Sequence, residues 1–257
     1  MDLQLKNRVA FVAGSSRGIG KAIANALLRE GCRVCITGRD VASLQLAGNE
    51  LASNFSQENI LKISGDFTDG KTIAGALKSV VSQWGSLDVL VANLGTGSGK
   101  LGWQQDENEW ERLFNLNFFG SVRLAQAAIP HMQQRGGSIV FISSIVGVEA
   151  TSAPLPYSAA KSALINYSKN LARAVAEHRI RVNCIAPGNI FFPGGSWERH
   201  IENRRESVEK YISSEVPLKR FGTPEEIAAM TVFLASPVSS FTTGSCYIVD
   251  GGQTRAV

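Results

Sequence analysis

The stretch that decides the fold is RVAFVAGSSRGIGKAIANALL, residues 8–28. Its first part is an apolar run of small and β-branched residues, which predicts a buried strand. The segment GSSRGIG then supplies a glycine-rich turn, and apolar residues recur after it at helical spacing. A strand, a glycine turn and a helix in this order predict the beginning of a βαβ unit, with the amides of the helix N-terminus near the end of the strand.

Apolar runs alternate with helical patterns along the rest of the chain. The further predicted strands are RVCITG, ILKISGD, LDVLVAN, GSIVFISS, IRVNCIAPG and SCYIVDGG, and the predicted helices lie near 18–30, 41–53, 71–84, 107–134 and 156–177. The strands are apolar at nearly every position, which indicates that helices cover both faces of a sheet. We therefore predict an α/β fold with one doubly wound, seven-stranded parallel sheet (Rossmann-like). No linker or compositional break divides residues 1–257, so a single domain is expected.

Two long segments without a regular pattern, 94–106 and 188–200, each follow a predicted strand. The carboxyl ends of parallel strands lie at one edge of the sheet, where open α/β sheets bind ligands. We expect substrate loops near 94–106 and 188–215. Within the second segment, the aromatic and glycine residues of FFPGGSW, 191–197, favour a lid that closes over the site.

The substrate segments also contain aromatic and basic side chains. Trp103 is expected as a wall of the pocket. In the second segment, a basic cluster leaves two interpretations open, recognition of an anionic group or a solvated helix with alternating charges. The cluster and its neighbouring aromatic residue are Trp197, Arg199, His200, Arg204 and Arg205.

The overall composition excludes several classes of protein. Lysine and arginine number 26 against 22 aspartate and glutamate, a balance too slight and too evenly spread to favour nucleic-acid binding. No apolar run approaches the roughly 20 residues that span a bilayer, so no membrane partner is expected and the cytoplasm is the default location. Cys32 and Cys35 lie three apart in a predicted strand and face opposite sides. They are expected to be small core residues and no metal site is predicted.

The glycines of the first turn point to a dinucleotide. Gly14, Gly18 and Gly20 allow the backbone to turn tightly and to approach a pyrophosphate, whose charge would meet the amides at the helix N-terminus. Turns need glycine in any case, so the glycines alone are weak evidence. Their place between a strand and a helix makes dinucleotide binding the stronger interpretation.

The end of the second strand indicates which dinucleotide. A site selective for NAD would place an acid there to accept from the ribose hydroxyls, but ITGRD has Gly38 at that position. Arg39 and Arg17 suit a 2′-phosphate through their planar guanidinium groups, and we therefore expect NADP(H). The alternative is that both arginines are ordinary surface residues. Asp40 is interpreted as a helix cap.

A tyrosine and a lysine lie one helical turn apart in PYSAAKSALINYSKN. Tyr157 and Lys161 share a helix face, and an ammonium near the phenol is expected to lower the tyrosine pKa from its usual value near 10. Tyr157 is then a plausible general acid for a carbonyl oxygen or base for an alcohol. Thirteen residues before Tyr157, FISSIVG offers a hydroxyl to the same oxygen. Sequence alone leaves open whether Ser143 or Ser144 provides it.

The GxxxGxG spacing together with YSAAK resembles the short-chain dehydrogenase/reductase family. The resemblance runs from AGSSRGIG to YIVDGG, and it implies a nicotinamide dinucleotide and hydride transfer. It selects Ser144 over Ser143 and assigns Lys161 to the nicotinamide ribose. It also implies that Asn117, in WERLFNLNFFG, holds a water that continues a proton relay to the lysine, whereas Asn115 faces elsewhere.

The same resemblance implies a set of cofactor contacts. Asp66 and the backbone at Phe67 would contact the adenine, and Gly188 and Ile190 the carboxamide region. Ala92, Leu94 and Phe192 depart from the family's pattern. The implied set comprises Gly14, Ser15, Ser16, Arg17, Gly18, Ile19, Gly20, Arg39, Asp66, Phe67, Asn93, Gly95, Tyr157, Lys161, Gly188 and Ile190.

The end of the chain, PLKRFGTPEEIAAMTVFLASPVSSFTTGSCYIVDGG, is similar to the 3-oxoacyl-carrier-protein reductase-like branch, which implies a homotetramer. The resulting hypothesis is an NADP(H)-dependent oxidoreductase that reduces a ketone to a secondary alcohol, with a 3-oxoacyl thioester as first candidate substrate. A keto-sugar or another small ketone is the second. A non-catalytic dinucleotide-binding protein is the alternative from another class. The presence of Asn117, Ser144, Tyr157 and Lys161 argues against it, since binding alone needs no proton donor.

Overall fold

The seven strands form one parallel sheet, as predicted. The computed structural model describes residues 1–255, and the sheet order is β3-β2-β1-β4-β5-β6-β7. Every pairing is parallel, and the strand order reverses between β1 and β4. The strands are β1 (Val9–Ala13), β2 (Arg33–Gly38), β3 (Ile60–Ser64), β4 (Val89–Ala92), β5 (Gly137–Ile142), β6 (Ile180–Pro187) and β7 (Cys246–Val249).

Helices connect the strands and cover both faces of the sheet. They are α1 (Gly18–Arg29), α2 (Val41–Ala52), α3 (Gly70–Trp84), α4 (Glu107–Phe114), α5 (Gly120–Met132), α6 (Leu155–Ala174), α7 (Ser196–Glu215) and α8 (Pro224–Ala235). The single helix predicted over 107–134 is interrupted by a π-helical turn, Asn115–Phe119, between α4 and α5. Within residues 1–255, no helix is both long enough and apolar enough to cross a membrane.

Each face of the sheet has its own hydrophobic layer. One layer packs Leu27 of α1 and Ile227 of α8 on the sheet, and the other packs Leu77 of α3 and Leu164 of α6. Burial of these side chains is the main favourable contribution to folding. Cys32 belongs to the first layer and Cys35 to the second, which confirms that they face opposite sides as core residues.

Aspartate side chains fix where three helices begin. Asp40 accepts a hydrogen bond from the amide of Ser43 over 2.8 Å at the start of α2, which confirms its interpretation as a cap. Asp69 and Asp106 do the same for α3 and α4. These caps satisfy amides that have no partner inside the helix. By fixing where the helices begin, the caps set the lengths of the connections that run from the carboxyl ends of β2, β3 and β4 to these helices.

The two segments predicted as substrate loops differ in structure. Residues 94–106 contain no helix or strand. The second segment, predicted over 188–215, is irregular only to Gly195, because α7 forms from Ser196 onwards and buries Val208 and Ile212. The charged sequence therefore continues as an amphipathic helix rather than a loop. Non-helical backbone angles at Arg204, φ −151° and ψ 47°, kink α7 near its middle.

Candidate active site

A cleft of about 1000 Å³ lies at the carboxyl edge of the sheet, across the place where the strand order reverses. It extends from the glycine loop after β1 to the substrate segments beside α6 and α7. Most of the predicted site residues line it, namely Gly14, Ser16, Arg17, Ile19, Arg39, Asp66, Phe67, Asn93, Gly95, Ser144, Tyr157, Lys161, Gly188 and Ile190. The fold therefore brings together residues that are distant in the sequence.

Four predicted residues do not line the cleft: Ser15, Gly18, Gly20 and Asn117. The Ser15 hydroxyl donates to the carbonyl of Val12 over 2.7 Å and accepts from the amide of Thr37 over 2.8 Å. This side chain joins the glycine loop to β2 and is turned into the protein. With its hydroxyl engaged in this way, Ser15 is left with its main chain for the predicted cofactor contact.

The glycine loop is held close to the end of β4. Asn93 donates from Nδ2 to the carbonyl of Gly14 over 2.9 Å. Gly14 has φ +64°, and a Cβ there would lie 2.6 Å from the carbonyl oxygen of Asn93. A larger residue would be strained and would also push the two segments apart. Asn93 thus fixes the shape of the loop.

The first part of the predicted lid, residues 191–195 of FFPGGSW, packs on the same glycine loop. The Phe192 ring lies against Gly18, where a Cβ would be 2.6 Å from two ring carbons. Nη1 of Arg17 donates to the carbonyl of Gly194 over 2.8 Å. In this structure, the Arg17 guanidinium that was predicted to bind a 2′-phosphate is therefore hydrogen-bonded to the lid. Phe192, which departs from the family's pattern, thus makes an apolar contact with the glycine loop.

The adenine end of the cleft keeps free polar atoms. Asp66 accepts from the amide of Thr68 over 2.9 Å and from its hydroxyl over 2.8 Å, both through Oδ1, so that Oδ2 is not used in these bonds. Phe67 packs its buried ring edge-on against Phe11 and leaves its backbone beside the cleft. Arg39 is exposed and lines the cleft at the end of β2. Asp66 and Arg39 are thus accessible for the predicted contacts.

The structure distinguishes the two serines after β5. The hydroxyl of Ser143 donates to the main-chain carbonyl of Lys161 over 2.9 Å and is buried there. The hydroxyl of Ser144 lies near enough to Tyr157 to lower the pKa of that phenol, and both residues line the cleft. Consecutive residues at the end of an extended strand point in opposite directions, which explains the division. Both serines line the cleft, but the Ser143 hydroxyl is engaged by the main chain of Lys161, which leaves Ser144 as the partner of Tyr157.

Lys161 is almost completely buried, with 4% of its surface exposed. Its Nζ donates to the carbonyl of Ile142 over 2.9 Å and to the carbonyl of Leu94 over 3.4 Å. Burial disfavours the ammonium and lowers the Lys161 pKa to about 8. Two carbonyls therefore hold an amine that can exchange its proton near neutral pH.

Burial also raises the pKa of Tyr157, and the hydrogen bond from Ser144 lowers it by a smaller amount. The expectation that Lys161 lowers this pKa is therefore wrong for the structure. Desolvation of the phenolate dominates, while the ammonium is directed to the carbonyls of Ile142 and Leu94. Tyr157 is held in its protonated form, as a donor to a carbonyl oxygen requires.

Asn117 lies in the π-helical turn and is fully buried. Its Oδ1 accepts from the amide of Thr96 over 3.0 Å, and its Nδ2 donates to the carbonyls of Thr96 and Leu113. These bonds fix the start of the 94–106 loop beside Gly95, where a Cβ would lie 3.1 Å from Nζ of Lys161. The Asn115 side chain instead accepts from Arg123 over 2.7 Å, so that it faces elsewhere, as expected.

The substrate end of the cleft includes a polar set that the sequence analysis missed. Asn189 donates from Nδ2 to Oε1 of Gln253 over 2.7 Å, and Gln253 donates from Nε2 to the hydroxyl of Tyr211 over 2.8 Å. Asn189 lies in the sequence between Gly188 and Ile190, which were both predicted to contact the cofactor, so its place near the site could have been inferred from the sequence. Gln253 follows a glycine pair near the end of the chain, and no motif points to it.

The basic and aromatic residues predicted near the substrate divide into two groups. Trp197 stacks on Tyr211 with 5.8 Å between ring centroids, and it lines the cleft with Arg199, His200 and Arg204. Arg205 pairs with Glu209 over 3.8 Å, outside the cleft. Trp103 is 80% exposed and does not line the cleft, so its prediction as a pocket wall is wrong. The earlier part of its loop, up to Leu101, lines the cleft together with α7, whereas Trp103 lies outside it.

The residues of the cleft fit an extended dinucleotide. The N-terminus of α1 and the guanidinium of Arg39 provide positive charge at one end, and Tyr157 and Lys161 provide exchangeable protons at the other. Glycines bring the glycine loop and the start of the 94–106 loop close to neighbouring atoms where a Cβ would not fit. Among residues 1–255, no group of three or more histidine, cysteine and acidic side chains could hold a metal ion.

Comparisons with known sequences match nearly the whole chain. Residues 13–254 match a family model described as enoyl-(acyl carrier protein) reductase. The chain is 36% identical over 257 residues to the 3-oxoacyl-(acyl-carrier-protein) reductase of Chlamydia muridarum, covering 98% of this chain and 100% of that protein.

Solved structures also align with this chain over nearly its full length. L-sorbose reductase from Gluconobacter frateurii, solved as a complex with NADPH and L-sorbose, aligns with a TM-score of 0.93 and 34% identity over 100% of both chains. A short-chain type dehydrogenase/reductase from Mycobacterium marinum aligns with a TM-score of 0.87 and 30% identity, over 98% of this chain and 97% of that one.

Proposed function

Since this chain belongs to the short-chain dehydrogenase/reductase family, we propose that it uses NADP(H) to reduce a ketone to a secondary alcohol, and that Tyr157 is its general acid and base. The observation that carries the proposal is that Ser144, Tyr157 and the buried Lys161, one helical turn further along α6, line the same cleft. A protein that only bound the dinucleotide would not need this arrangement of exchangeable protons. The alternative of a binding-only protein is disfavoured for that reason.

The protein's part in the reaction is to hold the carbonyl and to move a proton. When bound, NADPH supplies the hydride that the carbonyl carbon takes up. The hydroxyls of Ser144 and Tyr157 both donate to the carbonyl oxygen, whose negative charge grows as the C=O bond becomes single. Tyr157 then transfers its proton to that oxygen, and the alcohol leaves neutral. In the reverse direction the same hydroxyl accepts the proton of the alcohol.

Lys161 serves two purposes in this proposal. Its ammonium would hold the ribose hydroxyls of the cofactor when that is bound, and its buried amine can supply a proton to the site after Tyr157 has given up its own. A pKa of about 8 suits an amine that must both hold and release a proton near neutral pH. Asn117 supports this region by fixing the loop beside Lys161, and its main chain remains the candidate for a water contact.

Residues at the other end of the cleft would hold the cofactor. Arg39 is proposed to bind the 2′-phosphate, with Arg17 as a second contact when its bond to the lid is exchanged. Asp66 would accept from the adenine through its second carboxylate oxygen. Asn93 acts indirectly, because it shapes the glycine loop that faces the pyrophosphate. These assignments follow from which polar atoms line the cleft.

Two substrate classes follow from the comparisons. The relative from C. muridarum is a 3-oxoacyl-(acyl-carrier-protein) reductase, which supports the thioester of our first hypothesis. The structure from G. frateurii is an L-sorbose reductase, which supports a keto-sugar. Both are ketones that become secondary alcohols, so the chemistry at Tyr157 is the same for either.

We also propose a homotetramer in the cytoplasm. Apolar side chains remain exposed on α8, β7 and the connection between them, among them Phe233, Phe241 and Ile248, and such a patch is typical of a subunit interface. The four cysteines are all free thiols, as expected in a reducing compartment. Sedimentation equilibrium would test the assembly; a species of one-subunit mass would exclude the tetramer.

The test of the activity is NADPH oxidation by the purified protein. The ketones are acetoacetyl thioester and L-sorbose, with NADH as the competing cofactor and crotonyl thioester as a substrate that lacks a reducible ketone. We expect turnover with a ketone, faster with NADPH than with NADH, and lost in Tyr157→Phe. Tight NADPH binding without turnover of any ketone would contradict the proposed function and favour the binding-only alternative.

A further inference from the structure

We infer that Asn189, Gln253 and Tyr211 form a subsite for a hydroxyl group, and that the substrate is a short polyhydroxylated ketone rather than an acyl chain. The inference rests on the proposed function, because it assumes that the cleft binds a ketone beside Tyr157. It concerns the opposite wall of that cleft. This wall is built from the loop after β6, the helix α7 and the last described residues of the chain.

The hydrogen bonds of the subsite form a chain with a defined direction. Asn189 donates to the carbonyl oxygen of the Gln253 side chain, and the amide nitrogen of Gln253 donates to the hydroxyl oxygen of Tyr211. These two bonds leave Oδ1 of Asn189, an acceptor, and the hydroxyl proton of Tyr211, a donor. Asn189 and Tyr211 line the cleft. A substrate hydroxyl both donates and accepts, and so it matches the two unused groups.

Contacts within the protein hold both sides of the subsite in position. Asp250 accepts from the amide and hydroxyl of Thr254, over 2.7 and 2.8 Å, and thereby fixes the segment that includes Gln253. On the other side, Tyr211 is stacked on Trp197, whose ring also contacts Phe221 at 5.2 Å between centroids. Polar groups held in position bind a matching ligand without a further cost of ordering.

Another part of the cleft lining also carries hydroxyls, beside the apolar side chains of Ile145 and Val146. Ser98, Thr151 and Ser152 line it between the 94–106 loop and the start of α6. An alkyl chain along these walls would cover donors and acceptors without replacing their bonds to water, which is unfavourable. A ketone with hydroxyls on the neighbouring carbons would replace those bonds. These hydroxyls therefore favour a hydroxylated ketone over an acyl chain where they line the cleft.

The experiment compares two ketones of the same carbon skeleton, one with hydroxyl groups and one without, and includes a thioester as a third substrate. Purified full-length protein is assayed with 1,3,4-trihydroxy-2-butanone, with 2-butanone and with acetoacetyl thioester, and NADPH oxidation is followed. We expect kcat/KM for the hydroxylated ketone to exceed that for 2-butanone by at least about 100-fold, since a site built for hydroxyls rejects analogues that lack them. Preference for the acetoacetyl thioester, or equal rates with the two butanones, would overturn the inference.

Variants locate the preference in the subsite. Tyr211→Phe removes the free donor but keeps the stacked ring, and Gln253→Met breaks the chain at its centre. Each is expected to raise KM for the hydroxylated ketone about tenfold or more, with kcat/KM for 2-butanone and the dissociation constant of NADPH unchanged. Tyr167→Phe is the matched control, because Tyr167 packs between Phe118 and Phe141 outside the cleft.

The outcomes separate the two proposals. If either subsite variant lowers kcat/KM for all ketones equally, the residues have a structural role and the inference is wrong. If ketones react but the hydroxylated one is not preferred, the result supports the proposed function and contradicts the inferred hydroxyl subsite. If no ketone reacts although NADPH binds, the proposed function is contradicted first, and the subsite with it.

Discussion

The hydroxyl of Ser143 donates to the main-chain carbonyl of Lys161 over 2.9 Å, while the Lys161 ammonium donates back to the carbonyl of Ile142 over the same distance. Two bonds of opposite direction thus join the end of β5 to the middle of α6. They fix the lysine with respect to the strand that presents Ser144. The catalytic residues are therefore positioned by a contact between a strand and a helix. Ser143, which takes no part in the proposed reaction, provides one of its two hydrogen bonds.

Replacing the two serines should separate stability from catalysis. Ser143→Ala removes a buried hydrogen bond and is expected to lower the free energy of unfolding by about 1 kcal/mol, with most turnover retained. Ser144→Ala should lower kcat by about 10–1000-fold with little change in stability. Urea unfolding and steady-state kinetics measure the two effects. A larger loss of kcat in Ser143→Ala than in Ser144→Ala would reverse the assignment.

Tyr157→Phe should remove proton transfer without removing the cofactor site. We expect kcat to fall by about 100–10,000-fold, the usual contribution of a positioned general acid, and the NADPH dissociation constant to stay within about twofold. Fluorescence titration of NADPH and single-turnover kinetics check both values. Tyr167→Phe, on the same helix but packed between aromatic rings, should behave as wild type. Retained turnover in Tyr157→Phe would assign the proton to another group.

The pH profile of the reaction should follow the buried lysine. Because burial lowers the Lys161 pKa to about 8, the amine is charged below that pH and neutral above it. Ketone reduction takes up a proton, so its kcat/KM should be level below about pH 8 and fall by about tenfold per pH unit above it. Alcohol oxidation should rise over the same interval. A reduction rate that stays level to pH 10 would show that Lys161 does not limit the proton supply.

Arg39 should determine the choice between the two dinucleotides. Arg39→Ala removes the exposed guanidinium at the end of β2 and is expected to weaken NADPH binding about tenfold or more, with NADH binding unchanged. Arg29→Ala, an exposed arginine at the end of α1, removes the same charge away from the cleft and serves as control. Equal losses for NADPH and NADH would place the 2′-phosphate elsewhere.

The fold was predictable because every strand carries its own signal. Apolar runs of four to eight residues separated by amphipathic helices admit few arrangements other than a parallel sheet with covered faces. The π-helical turn was not predicted, since its residues fit a continuous helical pattern. The helix boundaries at Asp40, Asp69 and Asp106 follow from local capping and could be inferred from sequence.

The site was predictable where a motif fixes a residue and unpredictable where packing decides. Tyr157 and Lys161 share a face of α6 by helical spacing alone. The raised pKa of Tyr157 depends on desolvation, which no local pattern encodes. Arg17 was assigned to a phosphate, but its bond to Gly194 depends on where a segment 177 residues away comes to rest. Gln253 reaches Asn189 across 64 residues, again without a local signal.

The π-helical turn at Asn115–Phe119 has a consequence for how this chain can change in evolution. The amide of Gly120 bonds to the carbonyl of Asn115, five residues back, so the segment contains one residue more than an α-helical path requires. Deleting one residue here would restore ordinary α-helical turns and leave α4 and α5 in nearly the same relative orientation, because the wide turn already absorbs the extra residue. Asn117 would then shift along the helix and lose its hydrogen bonds to Thr96. Alignments of functional relatives should therefore carry no gap between positions 115 and 119.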